Sequence, residues 1–294
     1  MPIDINHIIA RLDQIPTLPI VSRHIMTLLG EKDLHLGKLS RLIEKDQALA
    51  VKILKVANSA FYGTLSKVVS IEHALAVLGL EEVKGILLAF SVQRFFTPDP
   101  RDGFDRSRFW RHSVVCSQVA KYLARHFQIS GGESLFLSAL IHDIGKIVLD
   151  HYFHEEFGRI LDYISEHGAT FTKAEREILG TTHYQVAARL LQQWNFPPQV
   201  IYQVFYHHAP WEDEDHPSGS TVIYLADRLT KWAGFTCLET EGGGDVLEFG
   251  NSKAMVRITE SGFDLDTSVV ENLLLQVQEL IAEEGESMLD LFGG

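Results

Sequence analysis

Leu137-Ser-Ala-Leu-Ile-His142-Asp143-Ile-Gly-Lys146-Ile-Val-Leu149 is the stretch whose reading decides the fold. It is apolar at helical period, yet a His, an Asp and a Lys are set into it. On a helix His142 and Lys146 are four apart and Asp143 and Lys146 three apart, so all three converge on one side. Desolvated charge without a partner is costly. An apolar helix therefore carries such groups for a metal, an ion pair or a catalytic site, or as a satisfied core histidine beside a capping carboxylate. The rest of the chain weighs on that choice.

Working outward, other apolar helical patterns are interrupted in the same way, by His112, His183, His207-His208 and Asp227, each on a different predicted element. Imidazoles and carboxylates together suit zinc, iron or manganese, and bundled helices can project them toward one centre. They can also serve two ions. His112, His142, Asp143 and Asp227 then form one site and His183, His207 and His208 a second, with Asp143 as the bridge. Such a pair of ions makes a nucleophile from water near neutral pH, and Lys146 is placed to hold a phosphate oxygen. Asp143 and Lys146 are thus the candidate catalytic residues of a phosphoester hydrolase. The competing readings are a polar core without metal and, for Lys146, an ion pair to Asp143 or Asp150.

The flanking chain reads as helix throughout. Apolar positions over 5–29, interrupted by Pro16 and Pro19, predict two helices, followed by helices over about 36–44, 47–58, 71–79 and 81–96. Ser70 is the expected N-cap and Gly79 the stop of the third of these. Asn58 is expected to cap a helix end or organise the turn toward Gly63. The turn-rich Thr97–Gly103 marks a joint between an N-terminal helical subdomain, 8–97, and a second one, 104–232. The second begins with a long helix over 104–127. After the His142 helix come helices over 155–167 and about 172–194, one opened by Pro197-Pro198 and ended by Tyr206-His207-His208, and one over 221–235. Phe95-Phe96 and Phe109-Trp110 read as core. Beyond Gly242–Gly244, Val246–Phe249 and Met255–Ile258 read as short strands or irregular chain. Ser268–Glu284 reads as an acidic amphipathic helix that either closes the bundle or offers a partner surface. The fold class is all-α: a helical bundle of two subdomains with a short C-terminal tail, 233–294.

Composition narrows the function. The chain has 294 residues, 46% hydrophobic and 22% charged, as an ordinary globular protein does. A formal charge of −13 argues against phosphate-backbone binding, so no nucleic-acid partner is expected. No apolar run reaches bilayer length and the start lacks signal-peptide regions, so a cytoplasmic protein without a membrane partner is expected. Cys116 and Cys237, too few for a disulfide framework, read as buried small hydrophobes. His151, His154, His167 and His216 read as solvated.

The His112, His142-Asp143 and Asp227 series resembles the signature of the HD superfamily of metal-dependent phosphohydrolases. The added His183 and His207-His208 are similar to the two-metal arrangement of its HD-GYP branch. Ile15-Pro-Thr-Leu-Pro19, Asp46-Gln-Ala-Leu-Ala50, Lys55-Val-Ala-Asn-Ser-Ala-Phe-Tyr-Gly63 and Ser70-Ile-Glu-His-Ala-Leu-Ala-Val-Leu-Gly-Leu80 resemble the HDOD family, the HD-related output domains, over about residues 10–212. This resemblance implies a bacterial signal-transduction module. After His207-His208, however, the chain reads Ala209-Pro-Trp-Glu-Asp-Glu-Asp215, with no Gly-Tyr-Pro segment, and no arginine cluster follows Asp227. The four acidic residues at 212–215 would repel a dianionic substrate wherever they lie near the site. Cyclic di-GMP hydrolysis is therefore not expected. The expectation is a module holding one or two divalent ions, iron, manganese or zinc, and acting through a protein partner or a nucleotide ligand. The alternative is a working metal-dependent phosphohydrolase.

Overall fold

A computed structural model describes residues 36–59, 62, 67–95, 104–129, 132–239, 246–250 and 252–284. The two helices expected over 5–29, the Gly63 turn, the 97–103 joint and the Gly242–Gly244 loop lie outside the described residues. Among those described, every regular element is helical. No described helix is long and apolar enough to cross a membrane.

The N-terminal helices are α1 Leu36–Glu44, α2 Gln47–Ala57, α3 Ile71–Leu78 and α4 Leu80–Phe95. Their starts are chemically marked. Asp46 accepts from the Leu49 N–H and Ser70 from the His73 N–H, caps of a kind that contribute about 1 kcal/mol each. Gly79 ends α3 at φ 80, where a side chain is disfavoured. Asn58 both caps and ties the turn: its Nδ2 donates to Leu54 O at 2.7 Å and Val68 O at 2.8 Å, and its Oδ1 accepts from the Val68 N–H.

The site-bearing helices follow: α5 Arg106–His126, α6 Gly132–Ile141, α7 Ile144–Tyr152, α8 His154–His167, α9 Phe171–Leu179, α10 His183–Gln193, α11 Pro198–Tyr206 and, after a 3-10 turn at Pro210–Glu212, α12 Pro217–Trp232. Asp105 opens α5 by accepting from the N–H groups of Ser107 and Arg108. This helix lies against α6 and α12, and α7 lies against α10. Phe109 and Trp110 are buried core, as expected.

Two expected continuous helices are broken. The Leu137–Leu149 stretch bends at His142-Asp143, where the Lys146 N–H turns back to Asp143 O at 2.8 Å and Asp143 sits at φ −97, ψ 8. The helix expected over 172–194 stops at Gly180, left-handed at φ 70, and restarts after Thr182, whose N–H donates to Gln185 Oε1. Both breaks free a site residue from the middle of a helix and set it at a helix start.

The tail corrects the sequence reading as well. Val246–Gly250 and Lys253–Glu260 are helices, α13 and α14, and Thr267–Glu284 is α15. Met255 and Ile258 are three apart on one buried face, and Ser252 caps the turn by accepting from the Met255 N–H. That is helical spacing with a helical cap, not the short strand or irregular chain expected.

Two apolar clusters hold these elements. One runs from Leu39, Ile53, Leu75 and Leu87 to Phe109, Phe136, Leu149, Leu190 and Val204. The other joins Val119 and Leu123 of α5 and Ile223 and Leu225 of α12 to Phe249, Met255, Ile258, Val270, Leu273 and Val277. Fully burying such a side chain contributes about 1.5–3 kcal/mol. The amphipathic last helix thus closes the bundle along its Val270, Leu273 and Val277 face.

Candidate metal centre

The residues singled out in sequence converge between the two clusters. His112 comes from α5, His142 and Asp143 from the α6–α7 bend, His183 from the first position of α10, His207 and His208 from the end of α11, and Asp227 from α12. His112, His142, His183 and His207 are wholly buried, and Asp143 and Asp227 nearly so.

The imidazoles point Nε2 inward. Nε2 of His112 lies 3.4 Å from that of His142 and 3.2 Å from Asp227 Oδ1. Nε2 of His183 lies 3.0 Å from Asp143 Oδ1 and 3.1 Å from His208 Nε2. Asp143 divides its oxygens, with Oδ2 3.3 Å from His142 Nε2 and Oδ1 facing His183 and, at 3.7 Å, His207. Ligand atoms about 2.1 Å from one ion, at tetrahedral or octahedral angles, stand roughly 3.0–3.4 Å apart. The inward atoms sit at about that spacing.

The outer nitrogens are held as metal-ligating histidines require. Nδ1 of His112 bonds Phe235 O at 2.9 Å, that of His142 Ala139 O at 2.6 Å and that of His207 Val204 O at 2.6 Å. Nδ1 of His183 bonds Glu175 Oε2 at 2.8 Å. Such outer partners fix the tautomer and aim Nε2. Three inward atoms, Asp143 Oδ1, Asp227 Oδ1 and His207 Nε2, are buried without a hydrogen-bond partner, although Asp143 Oδ1 touches His183. Orphaned acceptors among inward imidazoles fit a divalent cation. Three overlapping groups have ligand atoms within 4.8 Å of one another: Asp143, His183, His207 and His208; His112, His142 and Asp227; and His112, Asp143 and Cys237.

Charge is balanced locally. Lys146 Nζ donates to Asp143 Oδ2 at 2.7 Å and Lys231 Nζ to Asp227 Oδ2 at 2.9 Å. Lys146 therefore pairs with Asp143, while Asp150 takes Arg106 through Nε at 2.9 Å. Burial pushes both site carboxyls up, but the lysines and histidines around them win and hold Asp143 and Asp227 well below the usual carboxylate range. Burial disfavours a charged His142, yet Asp143 and Asp227 raise it to about 9. His183 is raised against burial by Glu175 and Asp143. Burial holds His207 and His208 well below the usual histidine value, with neighbouring imidazoles adding to it.

A cavity of about 620 Å³ opens onto this centre. His183, His208 and Asp227 line it together with the cations Lys146, Arg228 and Lys231, and Thr170, Phe171, Thr172, Trp211 and Tyr224 form part of the wall. The acidic residues at 212–215 do not line it. Asp213 instead accepts from the His216 N–H at 2.9 Å and from Ser220 Oγ at the start of α12. Those acids are therefore not part of the cavity wall, although Trp211 beside them is.

Three contributors were missed in sequence. Glu175, buried, precedes His183 by eight residues, and its acid on a buried face was the available signal. Lys231 follows Asp227 by four, the spacing of a helical ion pair. Cys237, read as an inert hydrophobe, is buried but lies 3.7 Å from Asp143 Oδ2. A lone cysteine in a loop carries no spacing from which that contact could be read.

Known proteins share this architecture. The family model for the HDOD domain matches residues 15–210. An uncharacterized protein of Treponema pallidum (strain Nichols) is 26% identical over 222 residues, 73% of this chain, and the chain spans only 42% of that relative's length. The crystal structure of an HDOD domain protein with unknown function from Geobacter sulfurreducens superposes with a TM-score of 0.78 at 21% identity, covering 98% of this chain and 96% of that one. A protein from Marinobacter aquaeolei VT8, provisionally called a signal transduction protein, superposes with a TM-score of 0.74 at 24% identity, covering 96% of this chain and 60% of that one. At these identities the structural likeness speaks to the fold alone.

Proposed function

The chain belongs to the HDOD family, and on that premise we propose that it is a bacterial signal-transduction module. In this reading it holds one or two divalent ions, iron, manganese or zinc, and acts mainly by binding a phosphorylated nucleotide or a protein partner. The carrying observation is the inward set of imidazoles around the orphaned oxygens of Asp143 and Asp227. His112, His142, Asp143 and Asp227 would hold one ion, and His183, His207, His208 and Asp143 a second. Bound ions would supply positive charge to polarise a phosphoryl oxygen and to ease deprotonation of water.

The chain's own groups then do the positioning. Arg228 lines the cavity beside the centre, its guanidinium over the Tyr224 and Phe249 rings, and would add positive charge for a phosphate. Phe171, packed under the Lys146 ammonium at 4.7 Å, covers one flank against water. Binding is favoured over turnover because each site carboxylate is already ion-paired to a lysine, Asp143 to the buried Lys146 and Asp227 to the half-buried Lys231. Those lysines serve the centre itself rather than a reacting phosphate. A working phosphohydrolase remains the second reading, favoured by the full complement of inward histidines.

One assay separates the two. Metal-loaded protein is screened against nucleotides, cyclic dinucleotides and simple phosphomonoesters, with Asp143→Ala as the control. The binding reading expects retained metal, nucleotide binding at the cavity and no turnover. Turnover that disappears in Asp143→Ala would overturn it.

A further inference from the structure

We propose that Cys237 is a thiolate ligand of this centre, which makes the site a mixed nitrogen, oxygen and sulfur site for a thiophilic ion such as zinc or iron(II). The inference rests on the metal-binding reading above and specifies which ions the site takes.

The loop that carries Cys237 is fastened to the centre at two points. α12 ends in a left-handed turn at Gly234, φ 93, with the Phe235 N–H returning to Thr230 O at 3.1 Å. That turn delivers the Phe235 carbonyl to His112 Nδ1 at 2.9 Å, so the loop aims one of the inward imidazoles. Two residues on, the Cys237 thiol donates to Asp143 Oδ2 at 3.7 Å. Its sulfur, His112 Nε2 and an Asp143 oxygen fall within 4.8 Å of one another, all three residues buried. A second observation points to a ligand beside the same imidazole, His112. Asp227 Oδ1, which contacts His112 Nε2 at 3.2 Å, is buried with no hydrogen-bond partner. An ion held by His112, Asp143 and Cys237 would take the place of the thiol proton, which leaves to solvent as the ion binds.

The chemistry has a direct consequence. A thiolate is soft and adds a negative charge, so it favours zinc and iron(II) over manganese(II) and magnesium, which prefer oxygen. The site's neutral imidazoles and two carboxylates alone would discriminate less.

Cobalt(II) tests this on the full purified chain, because a cobalt–thiolate bond gives an intense near-ultraviolet charge-transfer band that nitrogen and oxygen ligands do not. Bound cobalt is counted by elemental analysis in each sample. Cys116 and Cys237 are the chain's two cysteines, so the deciding sample is Cys116→Ala, in which a surviving band comes from Cys237 whether or not any Cys237 variant folds. The proposal expects the band in wild type and in Cys116→Ala, and its loss in Cys237→Ser at unchanged cobalt content. Cobalt bound without the band, or a band lost in Cys116→Ala and kept in Cys237→Ser, overturns the thiolate while leaving the metal site standing. A wild-type chain that retains no cobalt, zinc or iron overturns both.

Discussion

Glu175 grips His183 with both carboxylate oxygens: Oε1 accepts from the His183 backbone N–H at 2.9 Å and Oε2 lies 2.8 Å from Nδ1. One buried acid thus sets both the start of α10 and the direction in which the imidazole points. Glu175→Gln keeps the shape but removes the charge, and is expected to weaken metal binding by about 10–100-fold, the usual cost of losing an outer partner. Glu175→Ala additionally leaves a buried N–H unpaired, a cost of about 1–3 kcal/mol in folding stability. Competition titration against a chelator reads the first effect and urea denaturation the second. Unchanged affinity in Glu175→Gln would mean that His183 needs no such partner.

Asp143 addresses both halves of the centre, with Oδ1 toward His183 and His207 and Oδ2 toward His142 and His112. His183 addresses one half. Asp143→Ala is therefore expected to strip more metal than His183→Ala, as read by elemental analysis of the purified variants. The reverse order would refute the bridging arrangement.

The metal-free protein should show a pH signature that metal erases. In chelated protein His142 titrates near 9, raised above its ordinary value, so its contribution is fully present below about 6.5 and is lost as pH rises through 9. Asp143 and Asp227 titrate below their ordinary range, so theirs is present above about 4 and is lost as pH falls through their folded values. His207 and His208, held low, take stability away as pH falls below their ordinary value, so chelated protein is expected to be most stable near neutrality and to lose melting temperature from pH 7 to pH 9.5. Loaded protein carries an ion in place of the His142 proton, so its melting temperature should lie above that of chelated protein, with the gap widening as pH rises. At an ion concentration 100 times Kd the gain is about 2.7 kcal/mol. Identical melting curves with and without chelator would count against an occupied site.

Much of this was legible in the chain. Helix spacing with Ser70, Gly79 and Pro198 at its edges marked where helices begin and end, because caps and period are local. His142, Asp143 and Asp227 stood out because a charge on an apolar face demands a partner. The bend at His142-Asp143 did not stand out, since neither residue is a glycine or a proline and Gly145 lies inside the helix that follows. It follows from the tertiary need to bring that pair against α10. Cys237 was silent for a related reason: its meaning depends on which side chain its loop is laid against, and sequence separation hides that.

Gly145, between Asp143 and Lys146, shows how closely the halves of the centre are pressed together. A Cβ there would stand 1.9 Å from His183 O, 2.6 Å from its C and 3.0 Å from its Cα. All three are backbone atoms, so no rotamer change can relieve the overlap, and α7 and α10 would have to part. Alanine is the better helix former by roughly 0.5–1 kcal/mol, which taken alone predicts a more stable protein. The clash should win, because overpacking against immovable atoms costs about 1–3 kcal/mol and often more. Parting the helices also draws His183 away from Asp143, whose facing atoms are 3.0 Å apart. Gly145→Ala is therefore expected to lower the urea midpoint and to lose metal from the His183 half of the centre, seen as a fall in metal content per chain. A variant with an unchanged or higher midpoint and full metal content would show that α7 and α10 are not held this close.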